Sequence, residues 1–264
     1  MRVVIKQQND AKRPFFHNFP YNKRLSIYLV IAMETIYQPA LNPDKKPITL
    51  IWLHGLGVDG SDFKHFQQEL AQFGQIDNVN VVLPSAKVRE VSTMKLSMPA
   101  WYDLYSDNFM EKSPEDIEGM NEARDFVQTV IDEERAKNPD TPIVLGGFSQ
   151  GAAVALLTGL SQTLPLLGIV AFSGYVPDHP RFVEISDIAK QIPIFMAHGS
   201  IDSVIPMHKA EEGLLTLNQA QANVEFHQYA MMHELCPEEI ADLGDFLQVI
   251  SENWYEAHAE TENA

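Results

Sequence analysis

The sequence has one cysteine and few basic residues for its 264 positions. Cys236 alone can form neither a disulfide within the chain nor a Cys-rich metal site, which favours a reducing, cytoplasmic compartment. Acidic residues outnumber basic ones 36 to 19, and the net charge of −17 argues against a nucleic-acid partner. The apolar stretch at residues 25–32 is much shorter than the ~20 residues that cross a bilayer, so we expect no stable membrane insertion.

The basic residues are concentrated near the start of the chain. Residues 1–32 hold six basic residues and one acidic residue, whereas residues 33–264 carry a net charge of −22. Three interpretations of the basic segment stay open: an extension outside the working protein, which would then begin at Met33; an export signal, since a basic start precedes a short apolar run; and an arm packed on the surface. We predict a basic N-terminal extension over residues 1–32, outside the core of a single domain at residues 33–264.

Short apolar runs alternate with helical patterns from residue 48 onward. The runs are typical of strands buried on both faces and fall at residues 48–53, 80–84, 142–146, 168–172 and 193–197. Residues 224–229 alternate apolar and polar side chains instead, as an edge-side strand would. The helical segments fall at residues 113–137, 150–160, 207–220 and 237–257. The first of them opens on a capping box that starts at Ser113.

This alternation predicts an α/β fold: one domain with a mostly parallel, doubly wound sheet and helices on both faces. Residues 86–112 have no clear period. Because long excursions at strand ends often build binding sites, we expect this one to contribute to the site.

A Gly-x-Ser-x-Gly motif follows one of the predicted strands. Residues 147–151 read Gly-Phe-Ser-Gln-Gly, between an apolar run and an Ala-rich helical segment. A sharp strand-to-helix turn needs small neighbours, and it presents its serine at a helix start whose N–H groups favour a developing oxyanion. Ser149 is therefore the candidate nucleophile.

A serine nucleophile needs a base, and the base needs a carboxylate that orients it. His233 falls in the turn between the last strand and the last helix, from which an imidazole can reach the nucleophile. Asp202 follows the strand at 193–197 and is the candidate acid, while Asp178, after the preceding strand, competes with it. The remaining histidines after the nucleophile are His179, His198, His208, His227 and His258.

The oxyanion of a tetrahedral intermediate needs two backbone donors. The amide of Gln150, directly after the nucleophile, is one candidate. The amide of Leu56, in the glycine-containing turn after the strand at 48–53, is the other. His54 and His198 each precede a glycine directly after a strand, and we expect both to make structural hydrogen bonds.

The ordered blocks resemble the phospholipase/carboxylesterase family of α/β-hydrolases, which includes bacterial carboxylesterases and the acyl-protein thioesterases, also known as lysophospholipases. The resemblance covers about residues 46–255 and is carried by the blocks at 53–57, 83–84, 98–103, 147–151, 172–175 and 198–202, with His233.

The resemblance implies a Ser149, Asp202 and His233 triad, with Leu56 and Gln150 as oxyanion donors. The Trp-Tyr-Asp block at 101–103 lies near the acyl-binding region in such enzymes, which makes Trp101 a candidate pocket residue.

The chain departs from the family pattern in two loops. Met232 stands where the family usually has glycine before the catalytic histidine, so it could change the loop or narrow the acyl pocket. Val58 precedes Asp59, whereas many relatives place the acid directly after Gly57.

The resulting expectation is a serine carboxylesterase that hydrolyses short- to medium-chain carboxylic esters through an acyl-enzyme, with no metal and no cofactor. Its substrate would be a small-molecule ester or acyl thioester. The alternative is a lysophospholipase or acyl-protein thioesterase acting on long-chain acyl groups, and a minor alternative is a non-catalytic binding protein on a hydrolase scaffold. We expect Cys236 to be a packing residue; the oligomeric state, including a homodimer, stays open.

Overall fold

The computed structural model describes residues 2–5, 35–109, 113–182 and 185–262. In chain order the described strands are β1 (Arg2–Ile5), β2 (Thr35–Gln38), β3 (Ile48–Leu53), β4 (Val79–Pro84), β5 (Val88–Val91), β6 (Leu96–Pro99), β7 (Ile143–Phe148), β8 (Gly168–Phe172), β9 (Pro193–Gly199) and β10 (Asn223–Tyr229). The α-helices are α1 (Phe66–Gln72), α2 (Ile117–Lys137), α3 (Gln150–Gly159), α4 (Asp187–Gln191), α5 (Met207–Gln219) and α6 (Pro237–Glu262).

Eight strands form one sheet in the order β1-β10-β9-β8-β7-β3-β4-β2. Every neighbouring pair is parallel except β2 and β4, which are antiparallel. The mostly parallel sheet predicted from the alternating pattern is therefore confirmed. In such a sheet the carboxyl ends of the parallel strands meet at one edge, where a binding site can form.

The central strand β3 shows how the sheet separates two apolar cores. Ile51 and Leu53 pack on one face, with α2 and α3. Leu50 and Trp52 pack on the other face, with α1 and α6. Successive side chains of a strand point to opposite faces, so a strand covered by helices on both sides is apolar at nearly every position, and in β3 only the buried Thr49 is polar.

The sequence patterns missed several short elements and misplaced the start of α2. Strands β1 and β2 and helices α1 and α4 were not predicted, and the excursion at 86–112 contains the antiparallel hairpin β5–β6. The prediction that α2 begins at the Ser113 capping box is wrong, because Asp116 is the N-cap and its Oδ1 accepts a hydrogen bond of 3.0 Å from the Gly119 amide. The predicted end at Lys137 is confirmed.

Of the basic N-terminal segment, the structure describes Arg2–Ile5, which pair as β1 in parallel with β10 at the edge of the sheet. The rest of that segment, Met1 and residues 6–32, lies outside the described residues. The division of the chain at residue 32 stays a prediction. Within the described ranges, none of the helices has both the length and the apolar character needed to cross a membrane.

The cap at Asp116 can be tested by paired substitutions. Its Oδ2 also accepts from the Asp103 amide at 2.8 Å, so Asp116→Ala leaves two backbone donors without their partner. We expect Asp116→Ala to lower the free energy of unfolding by about 1–2 kcal/mol. Ser113→Ala, measured by the same urea titration, should stay within about 0.5 kcal/mol of the wild type. The opposite ranking would place the cap at Ser113.

Candidate active site

Ser149 lies in the sharp turn between β7 and α3. Its backbone has φ 58° and ψ −121°, in the left-handed half of φ space that non-glycine residues rarely adopt. A Cβ at Gly151 would overlap the carbonyl oxygens of Leu53 and His54, and one at Gly147 would lie against the backbone of Gly151. The glycines on both sides therefore allow the approach of helix and strand that holds the serine in this conformation.

Ser149, His233 and Asp202 form a continuous hydrogen-bonded chain. His233 Nε2 lies 2.9 Å from Ser149 Oγ, and its Nδ1 lies 2.7 Å from Asp202 Oδ2. Each of the three residues follows a different parallel strand, β7, β9 or β10, so the topology of the sheet brings them to one edge. This geometry lets the imidazole accept the serine proton while the carboxylate orients the ring.

The carboxylate of Asp202 is buried and fully bonded. Its Oδ1 accepts from the amides of Val204 and Ile205 at 2.8 and 2.9 Å, which leaves Oδ2 for His233. His198 packs beside it, with Nε2 at 2.8 Å from the Ile205 carbonyl and 3.5 Å from Asp202 Oδ2. Burial lowers the pKa of His198, so the ring stays neutral and donates to the Ile205 carbonyl.

The competing candidates lie elsewhere. Asp178 and His179 line a second cavity, and His208 Nε2 is 3.3 Å from the Phe109 carbonyl. His227 stacks on Phe195, and His258 stacks on Trp254 in α6. None of them is hydrogen-bonded to Ser149 in the described part of the chain.

The amides predicted as oxyanion donors flank the nucleophile. Gln150 is the first residue of α3, where helix N–H groups have no acceptor within the helix. Leu56 follows Gly55, where an added Cβ would lie 3.3 Å from Ser149 Cβ, so this backbone passes directly beside the nucleophile. Both residues line the same cavity as Ser149. Their role as donors stays a proposal.

A cavity of about 400 Å³ opens beside Ser149. Most of its lining side chains are apolar; among them are Leu56, Val58, Met94, Leu104, Phe109 and Val204. Tyr102 and Tyr175 also line it, and their hydroxyl oxygens are 2.7 Å apart. Burial raises the pKa of both hydroxyls, so the pair stays protonated.

Trp101 does not line this cavity, so its prediction as a pocket residue is wrong. The side chain is turned inward: its Nε1 donates to the His54 carbonyl at 2.8 Å, and its ring lies 4.9 Å from that of His54. The neighbouring Tyr102 faces the cavity instead. Tyr175 was also missed, although it closes the 172–175 block after β8, and a position past the carboxyl end of a parallel strand could have indicated it.

The departures from the family pattern leave the site assembled. Met232 is half exposed and lines the cavity; its φ is not positive, so the loop needs no glycine there. Asp59 caps a short 3₁₀ turn by accepting from the Ser61 amide. Cys236 is buried in the core on the α6 side, and burial raises the pKa of its thiol.

His54 makes two buried hydrogen bonds. Its Nε2 accepts from the Ala86 amide at 2.9 Å, and its Nδ1 lies 2.7 Å from the Gly55 carbonyl. Since a backbone amide can only donate and a carbonyl can only accept, the ring is neutral with its proton on Nδ1. Burial lowers the pKa of His54 from 6.5 to about 4.

This pKa predicts a pH dependence of stability. A lowered pKa means that the unfolded chain takes up the proton first, so the stabilisation is complete above pH 6.5 and is lost as the pH falls toward 4. We expect His54 to contribute about 3 kcal/mol to the loss of unfolding free energy across that window. Urea titrations between pH 7 and pH 4 should show a shallower fall in His54→Asn than in the wild type. Equal slopes would contradict the buried neutral ring.

Comparison with known proteins agrees with this geometry. The family model described as Phospholipase/Carboxylesterase matches residues 35–251. The acyl-protein thioesterase 1 of Mycosarcoma maydis is 35% identical, covering 83% of this chain and 98% of the relative. The corresponding protein of Yarrowia lipolytica is 34% identical, covering 76% and 90%.

Solved structures show the same architecture. Zea mays acyl-protein thioesterase 2 matches with a TM-score of 0.70 at 25% identity, covering 83% of this chain and 99% of that one. The Bacillus cereus carboxylesterase, at 23% identity and a TM-score of 0.65, covers 83% and 94% and shares the fold. With the family match over most of its length, this chain belongs to the phospholipase/carboxylesterase family of α/β hydrolases.

Proposed function

We propose that this protein is a serine hydrolase that cleaves long-chain acyl thioesters, in the manner of an acyl-protein thioesterase. The observation that carries the proposal is the apolar cavity that Ser149 itself lines. Side chains from separate loops line it, among them Val58, Leu104 and Val204, and an acyl chain would replace water along this surface. The curated relatives named acyl-protein thioesterase support the same substrate class.

In the proposed reaction, Ser149 Oγ attacks the acyl carbonyl while His233 Nε2 accepts the serine proton. Asp202 holds the imidazole in the required tautomer. The amides of Leu56 and Gln150 donate to the oxyanion of the tetrahedral intermediate, and His233 returns the proton to the leaving thiolate. Water, activated by the same histidine, then hydrolyses the acyl-enzyme.

This proposal replaces the carboxylesterase for short- to medium-chain esters as the main interpretation. The relatives carry the thioesterase name, and the cavity's apolar side chains would gain little from a two-carbon acyl group, since hydrophobic stabilisation grows with the area buried. A lysophospholipid would present the same kind of acyl chain on an oxygen leaving group. The cytoplasmic location stays a prediction.

A chain-length series tests the substrate class. S-acyl thioesters of N-acetylcysteine amide and p-nitrophenyl esters, each from C2 to C16, are assayed with the wild type and with Ser149→Ala. We expect kcat/KM to be highest at C12 or beyond and to vanish in the variant. Cys236→Ser, which changes only a buried thiol, should keep most of the activity. A maximum at C2–C6 would instead indicate a short-chain carboxylesterase, and faster cleavage of lysophospholipids would indicate a lysophospholipase.

The triad is tested by exchanging one carboxylate for an amide. In Asp202→Asn the Oδ1 can still accept from Val204 and Ile205, but the amide N–H faces His233 and disfavours the catalytic tautomer. We expect the rate of Ser149 labelling by a fluorophosphonate probe to fall at least about 100-fold. Asp178→Asn, the matched change at the competing carboxylate, should label at nearly the wild-type rate. If Asp178→Asn were the slow variant, the acid would be misassigned.

A further inference from the structure

The side chain of His54 is hydrogen-bonded to the carbonyl of the peptide group between Gly55 and Leu56. The carbonyl of Gly55 and the amide of Leu56 belong to the same planar unit, and in a trans peptide they point in opposite directions. His54 Nδ1 donates to that carbonyl at 2.7 Å. The hydrogen bond therefore sets the direction of the Leu56 N–H, the donor proposed for the oxyanion.

The peptide group before it is held by Trp101. The indole Nε1 donates to the His54 carbonyl at 2.8 Å, and the two rings are tilted by 34° with their centroids 4.9 Å apart. One residue beyond Leu56, the Gly57 amide donates to the Pro99 carbonyl at 2.9 Å. The loop at residues 54–57 is thus hydrogen-bonded on both sides of Leu56 to the segment at residues 99–102.

The same segment holds the second proposed donor. The side chain of Gln150 accepts from the Trp101 amide through Oε1 and donates to the Tyr102 carbonyl through Nε2, both at 2.9 Å. These groups are buried, so each bond is shielded from exchange with water. Gln150, which carries one proposed oxyanion amide, is therefore hydrogen-bonded to the segment at residues 99–102, and the same segment bonds the loop that carries the other amide, that of Leu56.

We propose that His54, Trp101 and Gln150 are positioning residues, which fix the two oxyanion amides relative to each other through the segment at residues 99–102. The inference rests on the proposed acyl-transfer function. Neither His54 nor Trp101 lines the cavity, so their effect passes through the backbone. Oxyanion donors act on the transition state, and their misalignment therefore lowers kcat and leaves the binding of the acyl chain nearly unchanged.

Trp101→Phe is the direct test, because it removes the indole N–H and keeps an aromatic ring. The chain offers a matched control: Trp52 is also fully buried, but its Nε1 has no hydrogen-bond partner among the described residues. Trp52→Phe makes the same change in ring size as Trp101→Phe but removes no hydrogen bond. Both variants are assayed with a long-chain thioester at pH 7.5, and kcat is normalised to the active sites titrated with a fluorophosphonate.

We expect Trp101→Phe to lower kcat about 10- to 100-fold with KM changed less than about twofold. The affinity for a trifluoromethyl ketone with a long alkyl chain, whose adduct carries an oxyanion, should fall in the same proportion. Trp52→Phe should keep kcat within about twofold of the wild type. Equal kcat values in the two variants, or a change confined to KM, would overturn the inference.

A second pair of variants covers the case in which Trp101→Phe does not fold. His54→Asn places an amide donor near the position of Nδ1, whereas His54→Leu has no donor. We expect kcat in His54→Asn to exceed that in His54→Leu by at least about 10-fold, and equal values would overturn the inference. If the wild type shows no Ser149-dependent turnover, the proposed function fails and this inference fails with it; normal turnover with equal variants overturns the inference alone.

Discussion

The left-handed backbone of Ser149 is the constraint on which the rest of the site depends. A non-glycine residue in this conformation costs on the order of 1–3 kcal/mol, and it persists only where the surroundings leave no alternative. Here β7 ends in the middle of the sheet and α3 begins at once against the backbone of Leu53 and His54. The turn places Ser149 at the carboxyl end of β7, directly before Gln150, the first residue of α3.

Two neutral histidines, His54 and His198, lie next to the site. His54 and His198 are both buried, both bonded to backbone carbonyls, and both have pKa values lowered by burial. In the proposed reaction, neither ring therefore brings a second positive charge near His233 when His233 takes up the serine proton. The charged partner of His233 is Asp202, which contacts the ring through Oδ2 and accepts from two backbone amides through Oδ1.

The sequence predicted the triad because each member sits in a context that depends on few residues. Ser149 lies between two glycines at a strand end, and His233 and Asp202 each follow a strand of the same sheet. The prediction of Trp101 as a pocket residue was wrong for the opposite reason. It lies in an irregular segment, where the direction of a side chain depends on distant partners such as the His54 carbonyl, and no periodic pattern records that direction.

The start of α2 shows the same limit at a helix end. Two acceptable caps stand three residues apart, and Asp116 prevails because it also bonds the Asp103 amide and lies 3.5 Å from Arg89. Both partners come from the excursion at 86–112, whose hairpin was not predicted. Local patterns predicted the sheet well because its strands are short and buried on both faces, but they carry no information about which loops return to touch a helix end.

The alternation of β3 has a consequence for length changes in the chain. Ile51 and Leu53 belong to one core and Leu50 and Trp52 to the other, so an insertion of one residue in this strand would exchange the two sets. The exchange would drive Trp52 into the space of smaller side chains and would rotate His54 and Leu56 away from Ser149. A substitution in β3 keeps this alternation, whereas a change of length does not, so we expect insertions and deletions to be confined to the loops on either side of β3.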